Sequence, residues 1–230
     1  MTTSSPHTIE GLPVFPLGTL LFPGGLLSLQ IFEVRYLNMI GKALKAGTPF
    51  GVVTLTQGHE VRQRKTQEPG KVPPGGDGFA HEAFHAVGTL ATIRAHVMPQ
   101  PGLMVVQCLG TQRFEITRRE QLKHGLWVAD IACLPDDRAL AIPADLQIVA
   151  DALAAFIRQS QLRELQGVTA DVMPLASPYQ LGDCAWVANR WVELLPVPVE
   201  VKYRLMALDN PLLRLELVRD LLDTENVLAR

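Results

Sequence analysis

The side chains whose types and spacing come closest to chemistry are His81, Glu82 and His85, in the run His81-Glu82-Ala83-Phe84-His85. On a helix this spacing puts two imidazoles on one face to hold zinc, with the glutamate as general base. The run continues to Gly88 as in a longer three-histidine form, but the position of the third histidine is Ala91. Two neutral ligands without a third make an incomplete zinc site. A proline- and glycine-rich stretch precedes the run and an alternating apolar stretch follows it, which leaves little room for a helix. The residues read best as a loop entering a strand, with a small zinc hydrolase as the weaker alternative. No Gly-x-x-x-x-Gly-Lys-Ser/Thr phosphate loop is present, so P-loop ATP chemistry is not expected. The serines, Ser4, Ser5, Ser28, Ser160 and Ser177, lie in no Gly-x-Ser-x-Gly elbow. The sequence therefore assigns no catalytic residue, no metal ligand and no cofactor.

Four other residues are candidates for binding rather than reaction. Glu33, Arg35 and Arg113 are charges set among apolar neighbours. They either hold a ligand or form structural ion pairs that tie a helix to a sheet. Phe22, in a Pro-Gly turn, is either an anchor for an apolar peptide or a plug for the end of a barrel. Met98 and Met104 flank a second turn and offer adaptable apolar surface or ordinary packing. Trp186 and Trp191, five apart, fall on different helical faces, and at least one belongs to a core.

The elements that must position these residues can be read in order. Residues 1–11 form a polar, frayed tail. Residues 12–17 are apolar with two prolines, which suits an edge or barrel-lip strand, because proline cannot donate to a ladder. Leu21-Phe22-Pro23-Gly24-Gly25 has type II turn chemistry. Residues 27–31 alternate like a half-buried strand. A helix follows over about 34–46, with Gly47 as its stop, and then a strand over 50–55. Residues 58–78 contain glycines, prolines and mixed charges, and read as a long mobile loop. In 87–97 the residues Val87, Thr89, Ala91, Ile93, Ala95 and Val97 share one face. A Pro-Gly turn at 99–102 leads to strands over 103–109, 113–117 and 126–134. Beyond 134 the period becomes helical. Helices are expected over 142–165, with Ile148, Leu153, Phe156 and Ile157 on one side, and over 177–194. A third begins at Pro198 and ends near 208. The last is capped by Asn210-Pro211.

Several of these stretches resemble one family. Leu12-Pro13-Val14-Phe15-Pro16-Leu17, then Leu21-Phe22-Pro23-Gly24, then Ile31-Phe32-Glu33-Val34-Arg35-Tyr36 looks like the opening of the Lon N-terminal domain family. Val87-Gly88-Thr89-Leu90-Ala91-Thr92-Ile93 and Gly110-Thr111-Gln112-Arg113-Phe114-Glu115-Ile116 resemble two of its strands. Residues 195–209 with Arg214-Leu215 resemble its C-terminal helical pattern more loosely. That pattern is broken around Tyr203 and Ala207, where a glutamine and a glutamate are replaced. The resemblance covers roughly 12–223. It implies an α+β fold: a PUA-like, partly closed β-barrel with one helix over 12–134, then an α-helical bundle over 135–230. It also implies a substrate-recruiting module without Lon's motor and peptidase. The expected partners are unfolded or client polypeptides, with a protease or chaperone to receive them. Phe22, Glu33, Arg35 and Arg113 are the candidate peptide-binding residues. The alternative class is RNA binding, since PUA-like barrels often bind RNA.

Composition weighs between these readings. With 21 basic and 23 acidic residues in 230, the net charge is −2, so there is no basic excess to attract nucleic acid. Cys108, Cys133 and Cys184 are odd in number and far apart, which fits neither a disulfide framework nor a zinc ribbon. A reducing cytoplasm is the simple expectation. No signal peptide and no membrane span is expected.

Overall fold

The computed structural model describes residues 7–58, 82–166, 175, 177–225 and 227–228. The remaining residues include His81 and all of the expected 58–78 loop except Gly58, so those expectations lie outside the described residues. The elements in order are β1 (Thr8–Leu17), β2 (Leu26–Ile31), α1 (Val34–Ala46), β3 (Phe50–Gln57), β4 (Ala83–Gln100), β5 (Leu103–Gln121) and β6 (Trp127–Cys133). A 3-10 turn at Ala144–Leu146 then leads to α2 (Gln147–Leu165), α3 (Cys184–Leu194), α4 (Val199–Ala207) and α5 (Pro211–Thr224).

The strands form one sheet in the order β2-β5-β4-β3-β1-β6, and β6 also pairs with β5. The sheet therefore curls back on itself into a partly closed barrel, the α+β architecture that the sequence pattern implies. β1 starts earlier than the sequence suggests, because Thr8 already pairs with Ala132. Its prolines are tolerated for a local reason. β6 is registered along residues 8–14 and β3 along 14–17, so each half of β1 has one ladder neighbour although the strand lies inside the sheet.

β5 is one strand where two were expected. Its first half pairs with β2 and its second half with β6, while β4 runs along the other side. Gly110 does not break it. That glycine receives the Phe22–Gly25 turn: Gly24 N–H donates to Gly110 O (2.8 Å), and Gly110 N–H donates to Gly25 O (2.9 Å). A Cβ on Gly110 would lie 2.1 Å from Phe22 O. The turn itself is as expected. Gly25 N–H donates to Phe22 O (2.9 Å), and Gly24 adopts φ +73°, the left-handed conformation a type II turn needs at that place.

α1 buries Tyr36, Met39, Ile40 and Ala43 against the barrel and ends at Gly47, whose N–H donates to Ala43 O. The barrel core falls into two clusters, one around Phe15, Tyr36, Phe50 and Val106, the other around Val14, Phe114 and Ile131. A third cluster gathers α2, α3, α4 and α5, and Phe22 belongs to it. In α2 Leu153 and Ile157 are buried and Phe156 half-buried, as expected, while Ile148 is 48% exposed and Val149 takes its place in the core. α3 begins at Cys184 rather than at Ser177-Pro178. Asp183 caps it, its Oδ1 accepting from Trp186 N–H (2.8 Å). Trp186 and Trp191 are both buried. Asn210 caps α5 as expected, accepting from Leu212 and Leu213 N–H. Among the described residues no helix is long and apolar enough to cross a membrane.

Candidate functional site

The His-Glu-x-x-His reading fails on local geometry. Ala83, Phe84 and His85 are the first residues of β4, not part of a helix. Successive side chains on a strand point to opposite faces, so Glu82 and His85 part company. Glu82 is buried and accepts from Arg35 Nη2 (3.2 Å) and Trp127 Nε1 (2.7 Å). His85 stacks on Tyr203 with ring centroids 3.6 Å apart, and its Nε2 lies 3.0 Å from Glu200 Oε2 on α4. Among the described residues no group of three His, Cys, Asp or Glu side chains could hold a metal.

The charged candidates are paired inside the fold. Arg35 donates from Nε to Glu33 Oε2 (3.1 Å), from Nη1 to Gly125 O (2.7 Å) and from Nη2 to Glu82. One guanidinium thus joins the start of α1, the β5–β6 turn and the approach to β4. Its plane also covers the Tyr36 ring at 4.4 Å. Burial opposes its charge, but Tyr36, Glu82 and Glu33 together outweigh burial and raise its pKa.

Arg113 is equally committed. Its Nη1 donates to Met206 O (2.9 Å) and Leu208 O (3.2 Å), and its Nη2 to Asp137 Oδ1 (3.3 Å) and Asp209 Oδ1 (3.2 Å). Arg214 of α5 meets the same carboxylate: Nη1 donates to Asp137 Oδ2 (2.6 Å) and Nη2 to Oδ1 (3.1 Å). Arg214 also donates to Asn189 Oδ1 (2.9 Å), Leu205 O (3.0 Å) and Leu208 O. Asp137 is therefore the shared acceptor between the sheet and the helices. Removing one member of such a buried pair costs about 3–5 kcal/mol, because the other charge is left without compensation.

A second joint holds the Phe22–Gly25 turn against α3. Arg190 Nη2 donates to Pro23 O (2.9 Å) and Glu193 Oε1 (3.2 Å), and Arg190 Nε lies 2.9 Å from Glu193 Oε2. That last contact is an ion pair whose angle makes no hydrogen bond, so Arg190 Nε and Glu193 Oε2 count as buried without a hydrogen-bond partner. Burial pushes the Glu193 carboxyl up to about 7, against the pull of Arg190. Phe22 is 1% exposed and sits in the helical core, so its ring presents no surface to a peptide. Asp137, Asn189, Arg190 and Glu193 were not legible as a group. The available signal was weak: charges embedded in apolar helices, such as Arg190 beside Trp191.

Exposed apolar side chains lie on α2, at Leu162 (57%) and Leu165 (85%), and also at one end of the sheet. Phe32 is 53% exposed, Val34 70%, Val97 59% and Met98 60%. Gln30 opposes Val105 and Val105 opposes Val97, so these three form one row across β2, β5 and β4. Leu103 lies two residues along β5 from Val105, and Phe32 two residues on from Gln30. Residues 26–32 and 92–109, which build this arm, contain no acidic residue and one formal cation, Arg94. A cleft of about 510 Å³ also opens between sheet and helices, lined by Pro135, Leu140, Pro211 and the charges of Arg113, Asp136 and Asp209.

These features define a barrel-and-helix domain whose buried arginines are paired inside the fold and which exposes apolar side chains at a sheet end. The family model for the substrate-binding domain of ATP-dependent protease La (Lon) matches residues 11–224, and the chain belongs to that family. The crystal structure of a Lon N-terminal domain protein from Xanthomonas campestris is similar, with a TM-score of 0.66 and 24% identity, over 92% of this chain and 98% of that one. The N-terminal domain of the Mycobacterium avium complex Lon protease shares the fold at a TM-score of 0.56 and 12% identity, over 92% and 97%. No curated protein matches the chain.

Proposed function

We propose that this chain is a non-catalytic polypeptide-binding module that takes unfolded segments at the sheet end formed by Phe32, Leu103, Val105 and Val97. The exposure of Phe32 and Val97 at the end of an arm without carboxylates carries this reading, since large exposed apolar patches mark interaction sites. Family membership supports it. In the same reading the module works in the reducing cytoplasm and hands its clients to a protease or chaperone. Residues 12–134 present the surface and 135–230 brace it. Glu33, Arg35, Arg113 and Phe22 serve binding indirectly, by fixing α1, the sheet and the helices in place. Titration calorimetry of the intact protein with a permanently unfolded, carboxymethylated polypeptide tests this. Micromolar binding is expected, weakened about tenfold or more by Phe32→Asp with Val97→Asp. A wild-type protein that binds no unfolded polypeptide at micromolar concentration would refute it.

A further inference from the structure

Among the described residues the outer edges of β2 (Leu26–Ile31), and of β4 beyond Ala91, have no strand neighbour, the Leu175 bridge to Gly25 stopping one residue short of β2. The two are built differently. Beyond Ala91, β4 carries Arg94, His96 and Pro99, and two of its three register shifts against β5 fall there, between Ile93 and Ala95 and between Val97 and Gln100. Charges, prolines and bulges are the devices by which sheets turn away a further strand. β2 has none of them. Leu26-Leu27-Ser28-Leu29-Gln30-Ile31 contains no charge, proline or glycine, and it pairs with β5 without a register shift. A straight edge of this kind presents a regular row of N–H and C=O groups, the template for one more strand.

Beside this edge runs a groove of about 220 Å³, lined by Phe15, Leu17, Leu29, Ile31, Phe32 and Tyr36, with Ser28 and Gln30 at its rim. Among its described lining residues only Glu33 is charged, and Arg35 Nε already occupies its carboxylate. Glu33 apart, the groove offers no charge to pair with a ligand's, so a charged segment would lose water there with little compensation. It runs directly into the exposed Phe32.

We propose that β2 receives an uncharged, extended segment of an unfolded polypeptide as an added strand. Its backbone bonds to the β2 edge and its alternate apolar side chains enter the groove. This rests on the polypeptide-binding reading above and specifies how that binding is made. It also names the segment selected: alternating apolar and neutral polar residues, rather than merely apolar ones.

The test uses the full chain and a fluorescent, uncharged octapeptide alternating valine and threonine, with binding read by anisotropy. Two further peptides carry N-methyl groups on alternate amides, one on the odd and one on the even positions. Only one set of amides can face β2, so one methylated form should lose about tenfold or more in affinity while the other stays near the parent. Ser28→Lys with Gln30→Lys, both at exposed positions, should weaken the parent peptide by a similar factor at an unchanged melting temperature. Equal affinity of both methylated forms, or normal binding by the lysine variant, overturns strand addition. If the octapeptide does not bind while an unfolded protein does, the strand proposal falls and the polypeptide-binding function stands. If neither binds, both fall.

Discussion

At the scale of single residues, the buried arginines are paired inside the fold. Arg35, Arg113, Arg190 and Arg214 are all buried. A sequence shows that a charge sits among apolar neighbours, but not which acceptor compensates it. Arg113 meets Asp137 from 24 residues away, a spacing that no local pattern turns into a pair. Arg214 joins them from 77 residues beyond Asp137. Glu193 gives this scale its prediction. Its carboxyl rises from 4.5 to about 7 in the folded protein, chiefly through burial. A carboxyl raised on folding stabilises the fold while protonated, so its contribution is complete below pH 4.5 and is lost as pH climbs through 7. Urea unfolding followed from pH 4.5 to 8 should show a fall of roughly 3 kcal/mol from this group. The fall should disappear in Glu193→Gln, whatever that variant does to the absolute stability. A variant whose pH profile parallels wild type would show that Glu193 is ionised in the fold throughout this range.

At the scale of elements, most of the chain was legible. The turn at Phe22–Gly25, the helix Val34–Ala46 with its Gly47 stop, and the Asn210-Pro211 start of α5 all follow from local chemistry that tertiary contacts reinforce. The misses have physical causes. Gly110 looks like a strand break because glycine is usually one, yet here it admits the Phe22 carbonyl within a continuous β5. Ser177-Pro178 looks like a helix start, but Asp183 holds the side-chain oxygen that caps Trp186 N–H. The His-Glu-x-x-His spelling has meaning only on a helix, and β4 removes the helix. Gly110→Ala tests the docking of turn on strand. The added methyl has no room beside Phe22 O, so overpacking should cost about 1–3 kcal/mol. Hydrogen exchange should also lose protection at the Gly24 amide, which donates to Gly110 O. Unchanged exchange there would mean that the turn holds without this contact.

At the scale of the whole molecule, the proposed binding surface was the least legible part. Phe32 and Val97 are far apart in sequence. They come to one sheet end only because β5 pairs with β2 on one side and with β4 on the other. No local pattern announces such a meeting. Met98 beside a turn and Val97 in the alternating run could be singled out, but not their approach to Phe32. The cleft between sheet and helices is the larger concavity. Its central cation, Arg113, is already held by two carboxylates and two carbonyls. The sheet end has apolar surface and almost no charge to satisfy, and unfolded polypeptide offers apolar side chains and unpaired backbone. The most direct measurement is methyl NMR of the intact protein, with labelled leucine and valine, titrated with a carboxymethylated unfolded polypeptide. Shifts are expected at Val97, Leu103 and Val105, with Leu140 and Leu212 unmoved. Shifts confined to Leu140 and Leu212, at the cleft and on α5, would contradict it.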